Sequence, residues 1–162
     1  MFGGGELRTL AGEMLNFPLI HPDILRVLGR AGHGSQILIA DGNYPFRTTL
    51  GANAELVSLN LSPGIVSATD VLAALAAAVP IEAAAVMAYA TEGPYAMAED
   101  PPIWGEFRDI LAAGGFTEPM EQMERFAFYD AGRGRDVALA VATAEQRIFG
   151  NVLLTIGVIK PD

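Results

Sequence analysis

The 162-residue chain has no cysteine. That excludes disulfide frameworks, thiolate metal sites and thiol nucleophiles together. Lysine occurs once, at Lys160, two residues from the end. A P-loop lysine and an interior Schiff-base lysine are therefore excluded as well. Histidine occurs twice, at His21 and His33, and neither H-x-x-x-H nor H-E-x-x-H is present. A zinc site would have to rest on carboxylates, so no catalytic metal is expected. Glycine-rich cofactor signatures are missing too: Gly132-Arg133-Gly134-Arg135 lacks a third glycine, and no G-x-S-x-G elbow occurs. The chemistry left is acid/base work without a cofactor.

Positive charge is also scarce. Ten basic residues face 19 acidic ones, a net charge of −9. A field of that sign repels phosphate backbones, so no nucleic-acid partner is expected. The apolar stretch 71–89 is interrupted by Pro80 and Glu82 and consists largely of alanine. It does not read as a membrane span. Residues 1–13 read as a loose polar leader without the basic and apolar regions of a secretory signal. The default expectation is cytoplasmic, with 14–162 forming one domain of ordinary size.

What is present is apolar: 51% hydrophobic residues against 18% charged. Such a chain has ample material for a core. Pro22 fits a first helical turn, with Ile24, Leu25, Leu28 and Ala31 following at helical spacing up to Gly32. Buried strands are predicted over 36–40 and 83–89, and further strands near 55–59 and over 137–142 and 151–159. Helices are predicted over 70–79, N-capped by Thr69, and around Ile103, Trp104, Phe107, Ile110 and Leu111, closed by Gly114-Gly115. A short aromatic helix is predicted over 125–130, and 92–102 reads as a loop. Alternating elements of this kind imply an α/β class, a three-layer α/β/α sandwich with a mostly parallel or mixed central sheet.

His33 lies between two glycines before the first strand, and Asp41 ends that strand eight residues on (41 − 33). Ligands in α/β sheets bind at the carboxyl ends of strands, and histidine suits proton transfer near neutrality. On spacing alone the bland reading is stronger: His33 as a polar turn residue, Asp41 as a loop cap. Arg125 could equally pair with Glu121 or Glu124, and Asn151 could serve only backbone groups at a strand start.

Several blocks shift that balance. They are Pro18-Leu19-Ile20, His21-Pro22-Asp23-Ile24-Leu25, Gly32-His33-Gly34 and Asp41-Gly42-Asn43-Tyr44-Pro45. Near the other end stand Arg125-Phe126-Ala127-Phe128-Tyr129 and Phe149-Gly150-Asn151-Val152-Leu153-Leu154. In this order they resemble the sugar mutarotase family of D-ribose pyranase and L-fucose mutarotase, and the last two resemble the fucose branch. The resemblance is much looser over 46–118.

The resemblance implies a cytoplasmic, cofactor-independent isomerase. It would interconvert anomers, or pyranose and furanose forms, of a neutral monosaccharide such as L-fucose. It also implies a homo-oligomer, a decamer of pentameric rings. Carried over, His33 matches the proton-donor histidine and Asp41 the sugar-binding aspartate. Arg125 stands where the fucose branch has arginine. Gly150 and Asn151 match the end of a Tyr-Gly-Asn or Tyr-Ala-Asn element whose tyrosine is Phe149 here. Phenylalanine keeps a ring for sugar carbons but loses the hydroxyl. Tyr129 and Tyr44 are candidates to replace it in acid/base work, and Trp104 and Tyr95 are candidate sugar platforms. For Trp104 a core anchor is the plainer expectation. A sugar-binding homologue that has lost catalysis, a purely structural assembly module and an isomerase of a phosphorylated sugar near Arg47 are the rival readings.

Overall fold

The computed structural model describes residues 15–162, so the expectation for 1–13 lies outside the described residues. Its elements in chain order are α1 (Pro22–Arg30), β1 (Gln36–Ala40), α2 (Phe46–Thr49), β2 (Glu55–Ser58), α3 (Ala68–Ala76) and β3 (Ile81–Met87). They continue with α4 (Pro102–Ala113), β4 (Glu121–Met123), α5 (Arg125–Gly132), β5 (Val137–Ala142) and β6 (Val152–Ile156).

The six strands form one sheet in the order β2-β5-β1-β6-β3-β4. β1, β2 and β5 pair in parallel, as do β3 and β4. β6 lies between β1 and β3 and is antiparallel to both. Five strands thus run one way and β6 alone runs back.

Alternation along each strand separates two cores. Ile37 and Ile39 of β1 join one apolar cluster, and Leu38 and Ala40 join the other. The first cluster is covered by α1, α3 and α4 through Ile24, Leu72, Leu75, Trp104 and Phe107. The second is covered by α5 through Phe128, with Phe46 of α2 packed alongside. Helices on both faces of a mixed sheet make the α/β sandwich that the sequence implied.

Local signals set the element ends. His21 caps α1 by accepting from the Ile24 N–H at 3.5 Å, and Pro22 occupies the first helical position. α3 corrects the sequence reading. Its N-cap is Ser67, not Thr69, and the helix ends at Ala76. Ser67 Oγ accepts from the Asp70 N–H, and the Asp70 carboxylate accepts from the Ser67 N–H. This reciprocal pair satisfies two donors, which a cap at Thr69 could not do with the same partner. β6 is shorter than 151–159 because its ladder with β3 ends at Ile156. α2 and β4, four and three residues long, were not predicted.

Candidate active site

All five parallel strands point their carboxyl ends at one edge of the sheet. Because β6 runs back, its beginning arrives at that same edge. A cavity of about 1020 Å³ opens there. Asp41 comes from the end of β1, Met87 from the end of β3, and Gln122 and Glu124 from β4 and the residue just beyond it. Arg125 and Tyr129 come from α5, and Phe149 and Asn151 from the approach to β6. Tyr44, Tyr89 and Tyr95 add three further rings to the wall.

Asp41 is 2% exposed and tied into the approach to β6. Its carboxylate accepts from the Asn43 N–H at 2.9 Å and the Gly150 N–H at 3.2 Å. In return its own N–H donates to Asn151 Oδ1 at 2.8 Å. Asp41 and Asn151 thus do both jobs the sequence left open. They satisfy backbone groups and they also line the cavity. Burial pushes the Asp41 carboxyl above its ordinary pKa. The two N–H donors and the Asn151 side chain work against that rise, and the charge of Glu145 adds to it.

Phe149 has φ +58°, in the left-handed region that non-glycine residues seldom adopt. Trp104 holds this turn: its indole N–H donates to the Phe149 carbonyl at 3.1 Å. Trp104 is fully buried, as expected of a core anchor, yet it also fixes a wall of the site. The Phe149 ring lies edge-on to Tyr89, with centroids 6.4 Å apart. Arg125 does not pair with Glu121 or Glu124. Its guanidinium lies over the rings of Phe126 and Tyr129, and its Nε donates to the Tyr129 hydroxyl at 3.4 Å.

His33 is elsewhere. It precedes β1, whose five residues at about 3.3 Å each put roughly 17 Å between the two sheet edges. Its Nε2 lies 2.9 and 3.0 Å from the carboxylate oxygens of Glu82, at the start of β3. Within one chain, then, Asp41, Arg125, Tyr129, Phe149 and Asn151 share the cavity and His33 does not. Glu82 was missed because 49 residues separate it from His33. Tyr44 lines the cavity with a buried hydroxyl that finds no hydrogen-bond partner among the described residues. Arg47 is not among the lining residues.

The sequence profile of the RbsD / FucU transport protein family matches residues 14–159. The chain belongs to this family. It is 30% identical over 151 residues to the fucose mutarotase of Homo sapiens, covering 87% of this chain and 90% of that one. It is 29% identical over 148 residues to the fucose mutarotase of Danio rerio, covering 89% and 92%. Among solved structures it resembles the fucose mutarotase of Streptococcus pneumoniae in complex with L-fucose. There the TM-score is 0.72 at 25% identity, covering 87% of this chain and 95% of that one. The family relationship expected from the opening and closing blocks is therefore established over nearly the whole chain. It includes the stretch 46–118, where the sequence alone was loosest.

Proposed function

We propose that this RbsD / FucU family member is an isomerase, a cofactor-independent mutarotase of a neutral monosaccharide, L-fucose or a sugar like it. The observation that carries the reading is the cavity. The buried Asp41 carboxylate, the Asn43, Gln122 and Asn151 carboxamides, Glu124 and Arg125 line it together with the rings of Tyr44, Tyr89, Tyr95, Tyr129 and Phe149 and several apolar side chains. That mixture grips hydroxyls while packing on the carbon face of a sugar. The relatives named fucose mutarotase, and the one solved with L-fucose, support the choice of sugar.

Mutarotation opens a hemiacetal and recloses it. One group takes the proton of the anomeric hydroxyl while another protonates the ring oxygen, and the roles reverse on closure. Each Asp41 oxygen already accepts one backbone N–H and retains a lone pair for a sugar hydroxyl. Arg125 donates from the other side of the cavity. Tyr129 offers a phenol that both donates and accepts. His33, backed by the Glu82 carboxylate, is the proton shuttle. Because it lies at the opposite edge of the sheet, it serves the cavity of a second copy in a homo-oligomer, a decamer of pentameric rings in the cytoplasm. Acid/base help of about 10²–10⁴-fold is enough for a reaction that already proceeds unaided.

A second reading rests on Phe149. If the missing hydroxyl is indispensable, the protein binds the sugar without turning it over. NMR exchange spectroscopy between L-fucose anomers separates the two. Wild-type protein should accelerate exchange, and His33→Ala should lose at least about tenfold while staying folded. Binding without acceleration supports the second reading. A folded His33→Ala with an unchanged rate removes His33 from the mechanism.

A further inference from the structure

Glu145 is 4% exposed and is not among the residues that line the cavity. A carboxylate removed from water is costly unless its lone pairs are filled. Here they are. Oε1 accepts from the Arg147 N–H at 3.0 Å and from Arg147 Nε at 2.9 Å. Oε2 accepts from Arg147 Nη2 at 2.9 Å and from the Ala68 N–H, in the first turn of α3, at 3.3 Å. Burial alone would raise the Glu145 pKa, but the hydrogen bonds and charge of Arg147 hold it below its ordinary value. Arg147 in turn donates from Nη1 to Glu106 of α4 at 2.6 Å.

This knot touches both segments that grip the sugar. The Glu145 carbonyl accepts from the Gly42 N–H at 2.9 Å, within the segment 41–43. A Cβ at Gly42 would stand 3.3 Å from that same oxygen. On the other side, a Cβ at Gly150 would stand 3.0 Å from Glu145 Cγ and 3.0 Å from the Arg147 carbonyl. The two glycines let their segments close onto Glu145 from either flank. The Gly150 N–H then reaches Asp41.

We infer that the buried Glu145 carboxylate, clamped by the solvent-exposed Arg147, is the positioning element that fixes the segments 41–43 and 149–151 against each other. Glu145 does not touch the sugar. It acts through Asp41 and Asn151, whose spacing depends on where Gly42 and Gly150 come to rest. The forked guanidinium matters because it fills both oxygens at once and leaves the carboxylate one orientation.

The inference rests on the mutarotase reading for its kinetic consequence, so it is tested with two readouts on the full chain. In Glu145→Gln, the KM for L-fucose should rise about tenfold with kcat nearly unchanged, because grip is lost while the proton shuttle is kept. Amide hydrogen exchange at Gly42, Asn43 and Gly150 should speed up about tenfold, with Leu153 and Leu154 of β6 unaffected. Arg147→Lys keeps the positive charge but loses the fork, and should show the same pattern more weakly. It carries the test if Glu145→Gln does not fold. Local exchange and KM both at wild-type values in a folded variant would overturn the inference, as would loosening spread evenly over the sheet. If the wild type shows no anomer exchange at all, the mutarotase reading fails. The amide measurement still decides the positioning role.

Discussion

At the scale of single residues, Phe149 decides most. Its backbone sits in the left-handed region and its carbonyl is held by Trp104, which sets the direction in which the side chain leaves the turn. Phe149→Tyr should therefore add a hydroxyl at the cavity wall without moving it. We expect faster L-fucose anomer exchange, by about tenfold if a phenol at this point relays protons. An unchanged rate would assign the phenol work to Tyr129 or another ring. The place of Asp41 at a cavity was legible from its strand end, while Arg125 and Asn151 were singled out by short blocks that resemble a family; that Asp41 and Asn151, 110 residues apart, would meet was not legible. Glu82 and Glu145 were not legible. Glu82 is read only through its contact with His33 across the sheet. Glu145 stands in Thr143-Ala144-Glu145-Gln146-Arg147, which looks like an exposed turn until its carboxylate is found closed in.

At the scale of elements, capping chemistry explains where sequence reading went astray. Thr69 and Ser67 are both competent caps, and the choice falls to Ser67 because Asp70 stands three residues later. Ser67→Ala should cost about 1 kcal/mol of stability, read from the shift of a urea unfolding midpoint, whereas Thr69→Ala should cost clearly less. β1, β3, β5 and β6 were legible because they carry short apolar runs between turn residues. β4 was not: Glu121-Gln122-Met123 has no apolar run, and becomes a strand only because the edge of β3 is there to pair with. α2 is a single turn, too short to show a period.

At the scale of the whole molecule, His33 and Asp41 lie at opposite edges of one sheet, which makes cooperation between copies testable. His33→Ala and Asp41→Ala should each lose L-fucose anomer exchange. Mixed under conditions that allow subunit exchange, they should recover about a quarter of the wild-type rate, since a random pairing of neighbours unites an intact histidine with an intact aspartate that often. No recovery despite verified exchange of subunits would confine the chemistry to a single chain. The fold class itself was legible because alternation of strands and helices survives in the hydrophobic pattern. The backward course of β6 was not, since an apolar strand carries no mark of its direction. That course has a consequence for how the molecule is made. β2, β5 and β1 can pair as one half-sheet, and β3 with β4 as another, but only β6 joins them. It follows the other five in the chain, so it is synthesised after them. Until it arrives, β1 and β3 both present open edges, of the kind that pair promiscuously with other chains. The same late insertion brings Phe149 and Asn151 to Asp41. Completion of the sheet and completion of the cavity are thus one event, and a chain halted before residue 150 would have neither.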